Sequence, residues 1–427
     1  MPHSQLTKLL KNEFARNVFT LMSGAAVSQL ITLLALPFLT RLFTPAEFGV
    51  IAVYISIANI LATFSTGRYE SAIMLPANDA KAYAVMILSM IWVVITAICS
   101  FLILLIFNHP LAQWLNLTDH AWLLYYLPVS ILIMGGFKSL NYWFNRKKSF
   151  KLLAGNRIVQ TSTSSSVNLL AGFFTHLGAA GLFAGHITGQ FMQSFLLLRK
   201  VQRPGKMSSR LPRKAKLKKL AREYRNFPLF SMPMGVLNAL SADLLIYLLT
   251  MFYNNTLVGF YSNASKVVNY PLVLINSAFS SVFYQRMSES GSRKRLFRYS
   301  FFINLILAVL LLTPVMIWGK EIFSFVLGAD WAVAGEVGAI LSPWAAAGYA
   351  TRNVSTVFSL TQRNQYILIW QIVYLIGAVS LVMILKSGNI FSLLKYFSGF
   401  ATFMYLLLAV LGYQMLIRDE KKPEKNR

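Results

Sequence analysis

Nine charged residues lie inside stretches that are otherwise apolar. The basic ones are Arg68, Lys138, Arg157, Lys266, Arg352 and Lys395, and the acidic ones are Glu70, Asp243 and Glu336. A charge near the centre of a hydrocarbon layer costs on the order of 3 kcal/mol even on the lenient scale, so such groups mark partners, wet cavities or ligands. Bases outnumber acids here, which suits an anionic ligand. Arginine adds a planar pair of donors that matches the oxygens of a phosphate. Metal and disulfide chemistry is not indicated. There is one cysteine, Cys99, and the five histidines are scattered without metal-ligand spacing.

The elements that must position these charges are long apolar helices. The 427 residues are 56% hydrophobic and only 13% charged, about half the charged fraction a soluble chain needs to cover its surface. Apolar blocks of 20 or more residues are long enough to cross about 30 Å of hydrocarbon. Twelve spans are expected, near 17–40, 47–75, 82–107, 120–144, 152–174, 177–198, 226–252, 257–285, 297–318, 332–360, 366–385 and 390–416. With both termini cytoplasmic, 31 of the 40 Lys and Arg fall in cytoplasmic segments and three, Arg41, Lys320 and Lys386, in external ones. This alternation separates the net charge of +26 from a nucleic-acid surface, which would gather its bases on one face. The N-terminus, "MPHSQLTKLLKNEFARN", shows no cleavable signal peptide.

The segment 199–225 carries twelve bases against Glu223 alone and divides the chain. The expected organisation is an N-lobe of six helices (1–198), a basic cytoplasmic linker (199–225), a C-lobe of six helices (226–417) and a tail (418–427). "LTRLFTPAEFG" at 39–49 lies on "LTMFYNNTLVG" at 249–259 with a constant offset of 210. Six spans return the chain to the same side, so the fold class is all-α and polytopic, its lobes related by a pseudo-two-fold axis along the membrane normal. The linker reads as a solvated loop attracted to anionic lipid. Its last part, "KAKLKKLARE", reads as a basic interfacial helix with Leu217, Leu220 and Ala221 on one side.

Depth then sorts the charges. The second span is expected to run on through "SAIML" to Pro76, which puts Arg68 about two turns inside its cytoplasmic end. Arg68 and Glu70, two residues apart, would face different sides of that helix and would not pair. Lys138, Arg157 and Arg352 lie at comparable depths in the fourth, fifth and tenth spans. Each could snorkel to the interface, or all could converge on a cavity as a ring of cations. Lys395 reads as interfacial. Lys266 and Asp243 share an outer-leaflet depth, as a buried pair or as a proton or sodium site. Gly181, Gly185 and Gly189 make a packing face, beside which His186 reads as an interior histidine. The hydroxyls of "TSTSSSVN" (161–168) bond back to their own helix or offer themselves to a polar cargo. Tyr69, Tyr142, Trp143, Tyr270 and Trp344 could stack on sugars, although aromatics at span ends usually anchor in the interface.

"LPFLTRLFTPAEFGV" (36–50) followed by "TGRYESAIMLP" (66–76) resembles the signature of the Wzx-type oligosaccharide flippases, in the superfamily that also holds the MATE exporters and the lipid II flippase MurJ. The motif covers mainly the first two spans; the twelve-span layout and basic linker fit along the whole chain. The resemblance implies a carrier in the bacterial inner membrane. Its cargo would be undecaprenyl-pyrophosphate-linked oligosaccharide, moved to the periplasmic leaflet for O-antigen or other surface polysaccharide by alternating access through a cationic cavity. It also implies a polysaccharide polymerase and chain-length regulator as partners, and no nucleic acid. It implies no cofactor, with a proton or sodium gradient as the source of drive. Residue by residue it reaches only Arg68, Tyr69 and Glu70. A lipid II-type flippase or a MATE-like drug antiporter shares the layout. A membrane polymerase or ligase needs a catalytic outer loop, and the longest external connection, 108–120, holds no Lys or Arg.

Overall fold

The computed structural model describes residues 3–175, 177–201, 213–289, 293–352, 354, 357–358 and 365–420, with side chains from residue 19 onward except 274–293 and 418–420. The middle of the basic linker (202–212), Arg363 with the end of the tenth span, and most of the tail lie outside the described residues. Every described element is helical. Each of the twelve expected spans corresponds to a helix or a broken pair of helices. Seven described helices are long and apolar enough to cross a bilayer unaided, eight with one bent pair.

The chain forms two compact units, Met1–Gly259 and Phe260–Arg427. In the first, α1 (His3–Leu42) packs on α6 (Phe150–Phe174), and α6 on α7 (Ala179–Lys200). The glycines of α7 make that second contact close: a Cβ on Gly185 would stand 1.8 Å from Asn168 Oδ1, and one on Gly189 2.8 Å from the Gln160 carbonyl oxygen. The packing face expected from their spacing is therefore real. Helix α2 (Pro45–Ser65) opens on a capping box, in which Thr44 N donates to Glu47 Oε2 (2.7 Å) and Glu47 N to Thr44 Oγ1. Helices α4 (Asp79–Trp114) and α5 (Leu127–Arg146) complete the core around α2. Buried hydroxyl pairs hold them together, Tyr54–Ser130 (2.6 Å) and Ser89–Ser139 (2.8 Å).

The last part of the linker forms α8 (Lys214–Glu223), and the seventh span is broken into α9 (Met232–Ala242) and α10 (Leu244–Phe252), bent by 59° with Asp243 at the break. Both α9 and α10 pack on α2. The start of α11 (Asn255–Glu289) meets the start of α2 reciprocally. A Cβ on Gly49 would stand 1.7 Å from the Asn255 carbonyl oxygen, and one on Gly259 1.8 Å from that of Pro45. Each pair exchanges under the offset of 210, so the repeat read from 39–49 and 249–259 is a two-fold-like helix crossing. Asn116, at φ 50°, fastens the same corner by donating to the carbonyls of Thr250 and Tyr253 while its own carbonyl accepts from Asn255.

The second unit packs α12 (Arg293–Leu327) on α13 (Ala332–Ala350) through facing glycines, Gly319 and Gly335. Helices α14 (Gln365–Leu385) and α15 (Ile390–Glu420) follow. Between them lies an aromatic cluster in which Trp370 stacks on Tyr374 and Tyr374 on Phe400.

Candidate anion site at the break in the second span

The second span does not continue through "SAIML" to Pro76. Helix α2 stops at Ser65, and the chain passes through Gly67 (φ 56°) and Arg68 (φ 57°, ψ 12°) into a single turn, α3 (Tyr69–Ala72). Two consecutive left-handed residues cannot belong to a right-handed helix. Glycine takes that conformation freely, whereas arginine resists it. A sequence reading that weighs apolar periodicity sees only the run of Ile, Leu and Ala on either side and carries the helix across.

The break overturns the expected separation of Arg68 and Glu70. On a continuous helix they would face apart; across this turn Arg68 Nη1 lies 3.5 Å from Glu70 Oε1. The Glu70 side chain is 2% exposed and that of Arg68 33%. Lys138, on α5, lies within electrostatic range of both and donates to Thr63 Oγ1 on α2 at 2.7 Å. Helix α9 closes the group from above Arg68, where Gly235 leaves room: a Cβ there would be 3.4 Å from Arg68 Cδ and Nε. Two polar atoms stay unsatisfied in this buried place, Arg68 Nε and Glu70 Oε2. Buried polar groups are nearly always paired, so these two atoms, a donor on Arg68 and an acceptor on Glu70, mark the turn as a candidate site for a polar ligand.

The floor of the site is built by packing and hydrogen bonds around Tyr69 and the loop that follows it. Tyr69 turns away from the cations into the core with Trp143, Leu197 and Leu220, is 2% exposed, and donates its hydroxyl to the Ala221 carbonyl (3.4 Å). It therefore positions the turn. Downstream, Arg146 at the end of α5 pairs with Asp79 (2.9 Å) and donates to the carbonyls of Ile73, Met74 and Ala77, while Lys147 also pairs with Asp79. The loop 73–79 is thus tied to the end of α5, the helix that carries Lys138.

Arg157 is not part of this group. It is exposed on α6 and lines a separate cavity of about 350 Å³ among α1, α5, α6 and α7, with Asn141, Asn145, Gln160 and Gln193. Within the "TSTSSSVN" run, Thr161 bonds back to the Arg157 carbonyl (3.1 Å). His186 sits in the interior beside Tyr54, with its Nε2 buried and unpaired rather than satisfied. Lys266 and Arg352 belong to the second unit. Lys266 donates to Asn263 on its own helix at 2.9 Å, and Arg352 lies within electrostatic range of Tyr349 and Tyr405. Trp143 and Trp344 pack on Tyr83 and Phe397. The helix α8 turns the expected apolar side, Leu217, Leu220 and Ala221, onto the core of the first unit.

Thr63, Gly67 and Gly235 were not singled out in the sequence, although each shapes the site. Gly67 had a signal, an isolated glycine inside a helical pattern. Gly235 and Thr63 had none, because their part depends on which helix crosses which.

Several solved structures share this fold, and three serve as examples. An inward-facing MATE family multidrug transporter of the MOP superfamily superposes at a TM-score of 0.67, with 15% identity over 95% of this chain and 96% of that one. Lipid II flippase MurJ in an inward closed conformation gives 0.70, with 12% identity over 95% and 88%. A MOP superfamily transporter from Pyrococcus furiosus gives 0.62, with 15% identity over 97% of each; its title describes a binding pocket of reversed polarity. A comparison with curated proteins finds no match. The fold is therefore that of the MOP-superfamily transporters, all-α and polytopic, with twelve transmembrane helices in two lobes. Residues 38–336, well over half of the chain, match the family described as polysaccharide biosynthesis protein, and the chain belongs to it. It is a multi-pass membrane protein of that polysaccharide biosynthesis family.

Proposed function

We propose that this protein flips a polyprenyl-pyrophosphate-linked oligosaccharide across the bacterial inner membrane, from the cytoplasmic to the periplasmic leaflet, for O-antigen or related surface polysaccharide. The observation that carries the proposal is the group at the break: Arg68 and Lys138 gathered around one carboxylate, with a buried donor of Arg68 left without a partner. A diphosphate cannot cross hydrocarbon unshielded, and two cations from different helices offer it charge-assisted hydrogen bonds. The neighbouring cavity supplies Arg157 and four amides, a chemistry that fits sugar hydroxyls. Lys266 and Arg352 would serve the same cargo from the second unit. Asp243, at the bend of the seventh span, is the residue proposed for coupling to a proton or sodium gradient. Both termini would be cytoplasmic, and a polymerase and chain-length regulator would receive the product.

The test is flipping of a fluorescent polyprenyl-pyrophosphate disaccharide in proteoliposomes, read by an impermeant quencher. Arg68→Ala and Lys138→Met should each slow it roughly tenfold or more, as expected on losing a charged hydrogen bond. Wild-type rates in both variants, or export of cationic drugs that those substitutions leave intact, would overturn the reading.

A further inference from the structure

The basic linker is tied to the anion site through α8. The hydroxyl of Tyr69, the residue after Arg68, donates to the Ala221 carbonyl in the last turn of that helix. Leu220 is 3% exposed in the core that holds Tyr69. Lys81, three residues into α4, pairs with Glu223 at 2.6 Å and lies over the Tyr224 ring. These contacts fix α8 against the start of α4, the end of a 36-residue apolar helix where lipid headgroups are expected. The chain then leads through Phe227 into α9, whose Gly235 covers Arg68.

Taken alone, α8 should not be stable. It has ten residues, too few for an isolated helix in water. Lys214, Lys218 and Arg222 repel along one face at i,i+4 spacing. Its first turn carries lysines and no acid, the wrong charge for a helix N-terminus. Its apolar side is already occupied by protein, so insertion into lipid is not what holds it. Lys216, Lys218, Lys219 and Arg222 are exposed.

We propose that the outward face of α8 binds the headgroups of anionic phospholipids, and that this binding sets the order of the Arg68 turn. Anionic headgroups relieve the repulsion among the lysines and the clash with the helix dipole, which favours docked α8. Docked α8 holds Tyr69, and Tyr69 holds the turn. The headgroup contact stands on the geometry of α8, while its consequence for transport rests on the anion-site reading above.

The test uses the full chain in nanodiscs, with a fluorophore on C99S/A215C, since Ala215 is on the exposed face of α8. Energy transfer to trace headgroup-labelled phosphatidylglycerol should exceed that to labelled phosphatidylcholine roughly threefold or more, and high salt should abolish the difference. In the same discs, amide exchange over 67–73 should slow roughly threefold or more when phosphatidylglycerol is present. K218Q/K219Q/R222Q should lose both effects, and Leu220→Ala should speed exchange in the turn in either lipid. Equal transfer to both lipids, or lipid effects that survive in the triple variant, would overturn the inference. A turn whose exchange ignores both lipid and Leu220→Ala would overturn it too. Neither readout depends on transport: absence of pyrophosphate binding would count against the anion-site reading and leave these two measurements decisive for α8.

Discussion

Replacing Glu70 by glutamine tests the anion site most directly. The substitution keeps the shape of the side chain and removes the one negative charge beside Arg68 and Lys138. At an effective dielectric of about 20, opposite unit charges 3.5 Å apart attract by roughly 5 kcal/mol. The Arg68 side chain is 33% exposed, and solvent screening cuts that to about 2 kcal/mol. An incoming anion must displace or share this attraction, so Glu70→Gln should tighten binding of inorganic pyrophosphate roughly thirtyfold. Calorimetric titration of the full-length protein in nanodiscs measures it, with Arg68→Ala as the variant in which binding should vanish. Unchanged or weaker binding in Glu70→Gln would refute the argument that Glu70 is the counter-charge an anion must replace.

Other substitutions examine how the site is built. Gly67→Ala forces a Cβ onto a residue at φ 56°, 3.2 Å from the Tyr69 ring, and should destabilise the turn by about 1–2 kcal/mol, read as faster amide exchange over 66–73. Thr63→Val removes the hydroxyl that accepts from Lys138 and should cost about 1–3 kcal/mol of thermal stability, largely restored by Thr63→Ser. The hydrogen bond from the Lys81 ammonium holds the Glu223 carboxyl below the usual glutamate range. The stability this pair gives α8 is therefore complete above the ordinary glutamate pKa of about 4.3 and lost as pH falls through the depressed value. Amide exchange across 214–223 should quicken only in that acid window, and Glu223→Gln should flatten the response.

Much of this protein is legible in its sequence because a bilayer imposes a strict rule. Backbone polar groups in hydrocarbon must be satisfied within their own segment. Apolar run length thus gives the spans, and alternating Lys and Arg give the expected orientation. The glycine face of α7 followed from spacing alone. So did the repeat, in which Gly49 and Gly259 meet across a helix crossing. The capping box of α2 is written in "TPAE". What helix periodicity could not show was where a helix ends without an apolar break. The run after Arg68 looks helical on both sides of Gly67, and only the φ values reveal the turn.

The sequence by itself determined an α-helical, multi-pass membrane protein with cations inside its apolar runs, because hydropathy and charge act locally and add along the chain. Only the tertiary structure decided which of those cations meet. Arg68, Glu70, Lys138 and Thr63 come together because a two-residue left-handed turn reverses one side chain and α5 crosses α2 at that depth. Gly235, from beyond the linker, and α8, within it, complete the site. Such contacts depend on the packing of segments distant in the chain, which no local pattern encodes.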